Sequence, residues 1–236
     1  MSTQKTRFEA GVHRVNRHLK KVNSAVTAML YFARMHKDLE AYDDTMKAEQ
    51  AAEKLVNELR KLVKVSGRPS AVMDVETIME EEIPVEMGYT EEGWFHLRFP
   101  RMLPKKEGGS AEYVRGFLYP AVNRFFRNAE YSRRFSDCVV IFRHVYDENC
   151  PENQARDHDN IELNMVIDTI AIYVMEDDTP FKCRHYYYSV AGPYDHTEVY
   201  VVPLSDWKLW VDREDSIPGE GMRIEKDTSF LAEKNT

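Results

Sequence analysis

The chain has 236 residues, of which 43% are hydrophobic and 11% aromatic, so it can bury a core and is not globally disordered. The sequence contains no run near the roughly 20 apolar residues of a membrane span and no apolar signal region, which excludes a membrane protein and predicts a cytoplasmic location. Three widely spaced cysteines exclude a disulfide framework, and the net charge of −8 does not favour a nucleic-acid binder.

The charge is distributed unevenly along the chain. Residues 1–37 carry eight Lys/Arg and one acid, and residues 98–134 carry nine Lys/Arg and three acids. Residues 147–178 carry ten acids and a single basic residue, Arg156. An acidic pocket between basic surfaces suits a metal-dependent enzyme that acts on a polyanion. The alternative is that the basic runs are solvated helix faces.

Residues 1–68 are predicted to form an antiparallel helical hairpin, an arm with coiled-coil spacing. Apolar residues recur there in steps of three and four, which is the seam of a coiled coil. The predicted seam residues are Phe8, Val12, Val15, Leu19, Val22, Val26, Met29 and Ala33 in the first helix, and Ala48, Ala52, Leu55, Leu59 and Leu62 in the second. Such an arm should pack on the rest of the chain, on a second copy or on a partner.

The strongly acidic residues 69–92 are predicted to be a connector, and residues 93–212 an α+β domain. Within that domain the patterns predict a strand over 94–99, a helix over 111–127 and an apolar strand over 138–142. Pro120 predicts a kink or a late start in the helix.

The run 161–175 fits either a strand or a helix, and we predict a helix capped by Asp157 or Asp159. Residues 184–189 and 198–202 follow as a pair of strands joined by a turn at 191–195. Residues 213–236 are polar and are predicted to be a loosely held tail.

Asp157 and Asp159, followed about twenty positions later by Asp177 and Asp178, are the most specific chemical pattern in the chain. A few carboxylates suffice to hold Mg²⁺, which keeps several of its waters. The pattern therefore predicts one divalent-cation site, provided that the element between the two pairs brings its ends together. The alternative is that the first pair caps a helix and the second marks a turn.

Arg156-Asp157-His158-Asp159-Asn160, the later Asp177-Asp178 and the order of predicted elements resemble the RusA-type Holliday-junction resolvases over roughly residues 94–203. The resemblance implies a RusA-like mixed β-sheet domain with helices on one face. It also implies that Asp157, Asp159 and Asp178 bind Mg²⁺ (or Mn²⁺) and that the protein hydrolyses branched DNA. The phosphate contacts would then be Arg98, Arg101, Lys105, Lys106, Arg133, Arg134 and Arg156.

The chain departs from that family at one important position. The family has a lysine four residues after the second aspartate, where this chain has Leu163. A retained fold with a degenerate active site is therefore a live alternative. The segments 157–162, 185–188 and 197–203 are also similar to an uncharacterised family carried by mobile elements of gut Firmicutes, which implies a phage or conjugative-element origin.

Three functions remain open at this point. The first is a metal-dependent endonuclease that acts on branched DNA. The second is a non-catalytic acidic protein of a mobile element that inhibits a host defence nuclease by imitating nucleic acid, in the manner of an anti-CRISPR protein. The third is a structural homodimer joined through the helical arm. The aspartate set favours the first function, whereas Leu163 and the net charge favour the second.

Overall fold

A computed structural model describes residues 2–106, 108–149, 157–229 and 231. The chain divides into two compact units, residues 1–78 and residues 79–236. The first unit is helical, and the second contains a mixed five-stranded sheet with helices, so the predicted α+β class is confirmed. In the described part of the chain, no helix is long and apolar enough to cross a membrane.

The first unit is the predicted helical hairpin, formed by α1 (Ser2–Arg34) and α2 (Asp38–Lys64). The two helices are antiparallel, because Gly11 lies against Leu62 and Arg14 forms an ion pair with Glu58 at 2.8 Å. Gly11 permits this close approach: a Cβ built there would lie 2.7 Å from the Leu62 side chain.

The apolar repeat of the hairpin only partly faces the neighbouring helix. The most buried residues of α2 are Asp44, Ala48 and Ala51, whereas Leu59 is 41% exposed. In α1, Val12 and Leu19 are each 43% exposed. A stripe that repeats with heptad spacing is wider than the contact that a single partner helix can make, so part of it remains in water.

The predicted acidic connector is not a simple linker. It contains α3 (Ala71–Glu82) and the edge strand β1 (Glu86–Tyr89). Ala71, Val75, Met79 and Ile83 recur every fourth residue and are buried. The acidic residues between them concealed this apolar stripe in the sequence.

Four more strands complete the sheet: β2 (Phe95–Phe99), β3 (Cys138–Asp147), β4 (Cys183–Gly192) and β5 (His196–Pro203). The strand order is β1-β2-β5-β3-β4. β3 and β4 are parallel, whereas β1–β2, β2–β5 and β5–β3 are antiparallel.

The strands predicted as a neighbouring pair, β4 and β5, do not pair with each other. β3 lies between them, and the short connection after Gly192 crosses the end of β3. Asp195 in that connection accepts a hydrogen bond from the Asp147 backbone at 2.8 Å. The sequence showed that a turn joins the two strands, but turn residues do not reveal whether a third strand passes between them.

The sheet has a helix-covered core on each face. On one face lie α4 (Ser110–Asn128), which continues through Pro120, and α5 (Asn164–Val174). There, Phe99 packs edge-to-face on Phe117 with ring centroids 6.0 Å apart. On the other face lies the short α6 (Trp207–Arg213), whose Trp210 packs on Trp94 and Tyr200.

The predicted loose tail is tied to the sheet over much of its length. Glu225 exchanges two backbone hydrogen bonds with Tyr89, at 2.8 and 3.0 Å. Thr228 accepts a hydrogen bond from the backbone of Tyr131, and Leu231 is fully buried. A few contacts with the sheet edge and core hold this segment although its own sequence is polar.

Candidate functional site

Asp157 directly precedes a short 3-10 turn, His158–Asn160, Asp159 lies within that turn, and both aspartates are exposed. The prediction that Asp157 or Asp159 caps α5 is wrong, because the helix begins later, at Asn164. Glu162 lies at that end of the helix instead. Its buried carboxylate accepts hydrogen bonds from Ser110 Oγ at 2.8 Å and from the Met165 backbone at 3.4 Å.

Asp178 lies in the turn that follows the other end of α5. Asp177 in the same turn accepts a hydrogen bond from the Thr179 backbone at 3.1 Å, and both aspartates are exposed. The helix between the two aspartate pairs has 11 residues, so it separates them by about 16 Å at 1.5 Å per residue.

The sheet gives the same separation independently. His158 Nε2 lies 2.9 Å from Ser189 Oγ, near the end of β4, whereas Asp178 acts electrostatically on Cys183 at the start of that strand. Six residues of strand span about 20 Å. The structure therefore places Asp157 and Asp159 near one end of β4 and Asp178 near the opposite end.

The three predicted ligands consequently do not surround one position. Across residues 2–106, 108–149 and 157–229, no group of three His, Cys, Asp or Glu side chains is arranged to hold a metal ion. The predicted Mg²⁺ (or Mn²⁺) site needs ligand oxygens about 2.0–2.1 Å from a shared ion, and this arrangement does not supply them. Metal-dependent endonuclease activity stays a prediction without that geometric support.

Other polar groups do meet at the aspartate turn. Besides the contact with Ser189, the ring of His158 lies 5.5 Å from the ring of His144, whose Nδ1 is 3.3 Å from Thr197 Oγ1. A hydroxyl paired with an imidazole is the first requirement of a nucleophilic pair. Here the contact also fixes His158 against β4 and leaves Asp157 and Asp159 in solvent.

The basic loop before α4 is brought to the same turn. The backbone of Lys106 donates to the Asn160 carbonyl at 2.8 Å, and Lys105 forms a β-bridge with Ile161. Two of the seven residues predicted to contact phosphate therefore lie beside Asp157 and Asp159.

Five carboxylates lie around the ends of β3 and β4 that adjoin this turn, and we call them the acidic rim: Asp147, Glu148, Asp157, Asp159 and Asp195. Asp147 is paired in register with Gly192, Glu148 donates its backbone N–H to the Gly192 carbonyl, and Asp195 accepts from Asp147. Asp147 is half-buried and the other four are exposed. Among the residues that the structure describes, none of the five forms a salt bridge.

Arg98 is not available to nucleic acid, contrary to its predicted role. It donates to Glu198 at 3.3 Å, to Glu86 at 3.0 Å and to the carbonyl of Met222 at 2.9 Å. The register of β2 and β5 places Arg98 directly opposite Glu198, and this pairing consumes its charge. Arg101 is exposed and has a long contact to the Glu82 carbonyl at 3.5 Å.

Arg133 and Arg134 line a cleft of about 580 Å³ together with Ser136, Asp137 and Ser205. Arg133 lies over the ring of Phe135 at 5.0 Å, and Arg134 donates to the Ile172 carbonyl at 2.7 Å. The cleft adjoins the start of β3 and the end of β5, so it lies at the opposite end of β3 from the acidic rim. Arg156 lies outside the described residues.

The sequence did not predict the buried ionic cluster at the centre of the sheet. Glu198 is fully buried and lies between Arg98 and Arg143 in the cross-strand register, with Arg143 Nη1 at 2.6 Å. The signal was available: Arg98, Arg143 and Glu198 each interrupt a strand that is mainly apolar and aromatic.

Two histidines complete the ionic cluster. His96 Nε2 lies 3.5 Å from Glu198 Oε1, and His196 Nε2 lies 4.0 Å from it. Burial raises the pKa of Glu198, but His96 and the Arg143 guanidinium outweigh burial and lower that pKa to about 2. Burial lowers the pKa of both His96 and His196, and the Glu198 carboxylate offsets only part of this effect. The cluster thus joins an ionised carboxylate to two arginines beside two neutral histidines.

Cys138 and Cys183 are directly paired in register at the starts of β3 and β4, and both are buried. The hydrogen bond from Cys138, opposed by burial and assisted by His185, lowers the pKa of Cys183 to about 5. The same contact, together with burial, raises the pKa of Cys138.

A family model described as a family of unknown function, DUF6100, matches residues 3–224. No curated protein matches, and no solved structure matches.

Proposed function

The chain belongs to the DUF6100 family, whose function is unknown, and we propose that it is a non-catalytic binding protein whose acidic rim engages a basic, nucleic-acid-binding surface of another protein. The partner class that fits best is a host defence nuclease, which the protein would inhibit by occupying the site of the nucleic acid. The mobile-element origin implied by the sequence resemblance agrees with this role.

The observation that carries the proposal is the acidic rim itself. Four of its five carboxylates are exposed, and they are not neutralised by ion pairs among the described residues. Surfaces that bind nucleic acid carry clustered Lys and Arg, and their affinity comes largely from neutralising phosphates. Carboxylates fixed at the end of a rigid sheet present to such a surface the same negative charge as phosphates do.

A matched pair of triple variants tests the proposal. Asp157→Asn, Asp159→Asn and Asp195→Asn together remove three charges from the rim and keep an oxygen acceptor at each position. The opposite-end variant, with Glu176→Gln, Asp177→Asn and Asp178→Asn, removes the same amount of charge near the opposite end of β4. Cleavage of labelled DNA is followed for a panel of purified prokaryotic defence nucleases, with each protein added over a range of concentrations.

We expect the wild type and the opposite-end variant to inhibit at least one nuclease, and the rim variant to inhibit it about tenfold less. That ratio should shrink as salt is raised, because the interaction is between charged surfaces. Equal inhibition by both triple variants, or no inhibition of any nuclease by the wild type, would reject the rim as the binding surface.

The endonuclease remains the second candidate because part of its predicted constellation is assembled. The backbone of the loop that carries Lys105 and Lys106 is hydrogen-bonded to the turn that carries Asp157 and Asp159. If this function holds, the wild type cleaves a four-way DNA junction in Mg²⁺ or Mn²⁺, and Asp157→Asn abolishes cleavage while the circular dichroism spectrum is unchanged. An inactive wild type in both metals eliminates this candidate.

A further inference from the structure

The helical hairpin exposes an apolar stripe on each of its two helices. In α1 the exposed fractions are 43% for Val12, 43% for Leu19 and 49% for Leu30. In α2 they are 37% for Val56, 41% for Leu59 and 39% for Val63. Single apolar residues on a surface are ordinary, but exposed apolar residues that recur on one face of each of two neighbouring helices mark an interaction site.

Both stripes lie on the same face of the hairpin. The α1–α2 seam is marked by Gly11 against Leu62 and by Arg14 against Glu58. Val12 directly follows Gly11, Val63 directly follows Leu62, and Leu59 directly follows Glu58. One residue is a rotation of about 100° around a helix.

In an antiparallel pair, equal rotations in the same sense from the seam carry both stripes to one side. The six residues therefore form a single surface, which we call the apolar face: Val12, Leu19, Leu30, Val56, Leu59 and Val63.

The hairpin is also electrically polar along its length. The end that carries residues 7–21 and 54–64 has nine Lys/Arg and two Glu. The loop end, residues 22–53, has six acids and three Lys/Arg. The apolar face thus runs from a basic end to an acidic end.

We infer that two copies of this chain pack their apolar faces together, with the hairpins antiparallel, to form a four-helix bundle. A two-fold axis across the hairpins places the basic end of each copy over the acidic end of the other. The parallel alternative stacks like charges at both ends and is disfavoured. The bundle buries the stripe that the α1–α2 seam leaves in water.

A second copy is the occupant that this surface itself specifies. A two-fold interface requires one patch to be complementary to itself, and a hairpin with a basic end and an acidic end meets that condition when it is inverted. The inference goes beyond the proposed function, because the acidic rim lies in the other unit.

Oligomeric mass tests the inference on the full-length chain. We expect sedimentation equilibrium to give twice the 27.7 kDa of one chain for the wild type. The double variant Leu19→Glu with Val56→Glu places charges at the centre of the apolar face and should raise the dimer Kd at least about 30-fold, as for the loss of an interface hot spot. Tyr31→Glu is the matched control, because Tyr31 is 59% exposed but lies away from the apolar face.

Charge exchange tests the antiparallel arrangement. Arg7→Glu with Lys64→Glu reverses charge at the basic end, and Asp38→Lys with Glu49→Lys reverses it at the acidic end; all four side chains are exposed. Each pair alone should weaken the dimer about tenfold, and all four changes together should restore it. Far-UV circular dichroism confirms that each variant keeps its helices.

Three results would overturn the inference. The first is a wild type that is still monomeric at a chain concentration of about 100 µM. The second is a Leu19→Glu, Val56→Glu variant as dimeric as the wild type. The third is a Tyr31→Glu control that disrupts the dimer as strongly as the double variant does. Failure of the four-fold charge exchange to restore the dimer would reject the antiparallel arrangement.

Discussion

The two units of this protein bury opposite kinds of side chain. In the sheet unit, large aromatics such as Trp94, Phe95 and Trp210 are fully buried. In the hairpin, the most buried residues are small or charged, and the larger apolar residues are half-buried or exposed: Ala48 and Ala51 are 9% exposed and Asp44 is 7% exposed. Two helices enclose only a narrow seam, whereas a sheet covered on both faces encloses a wide interior.

The difference shows that an apolar repeat and a buried core are separate facts. Heptad spacing correctly predicted where the hairpin helices lie, yet half of the repeat faces water because only one neighbouring helix is present. In the sheet unit the interior is wide enough to bury even an ionic cluster, since each charge finds a partner across the strands.

The largest effect is expected from breaking the sheet unit at its buried charge. Glu198→Ala leaves Arg143, which is 2% exposed, without its carboxylate partner, so we expect a loss of about 3–5 kcal/mol in unfolding free energy. Glu86→Ala is the control: Glu86 also pairs with Arg98 but is exposed, so its removal should cost less than about 1 kcal/mol.

Urea denaturation followed by tryptophan fluorescence measures this loss in the correct unit, because all three tryptophans lie in the sheet unit. Equal losses for Glu198→Ala and Glu86→Ala would show that the buried cluster contributes no more than a surface pair.

A matched pair of leucines compares the two interiors directly. Leu118→Ala, at a fully buried position in the sheet unit, should cost about 2–5 kcal/mol because it leaves a cavity. Leu62→Ala, at a half-buried seam position, should cost about 1–2 kcal/mol because less apolar surface is lost from a contact already open to water.

Hydrogen exchange of peptides from each unit separates the two losses. A cost for Leu62→Ala as large as that for Leu118→Ala would mean that the hairpin seam is as closed as the sheet core.

The smallest effect concerns acid, and it should be confined to the sheet unit. Because burial lowers the pKa of His96 and His196, the unfolded chain takes up protons below pH 6.5 that the folded chain does not. Stability is therefore full above pH 6.5 and falls on acidification, by up to about 1.4 kcal/mol per pH unit for each histidine. The loss from Glu198 comes later, between pH 4.5 and about 2.

His96→Phe isolates one of these protons. Phenylalanine can keep the stack on Tyr200, whose ring lies 4.1 Å from that of His96, and it cannot be protonated. We expect the slope of stability against pH between 6.5 and 5.5 to become shallower by about 1 kcal/mol per pH unit. An unchanged slope for His96→Phe would mean that His96 is protonated in the folded state.

Much of the secondary structure could be predicted from local patterns, and the errors have identifiable causes. The helices α4 and α5 and the strands β2 to β5 follow from apolar spacing. α3 was missed because its four buried positions, every fourth residue from Ala71 to Ile83, are accompanied by an equal number of glutamates. The site prediction went further than local pattern allows: it required the element between Asp159 and Asp177 to bring its ends together, whereas a straight helix holds them apart.

By itself, the sequence determined which segments are helical or extended, because spacings of 3.6 and 2 residues are set by the backbone and by which side chains avoid water. Only the tertiary structure decided that β3 passes between β4 and β5 and that Glu198 meets Arg98 and Arg143. It also decided that Asp157 and Asp178 lie near opposite ends of β4. These are contacts between residues distant in the chain. They depend on strand order and register, which no local spacing encodes.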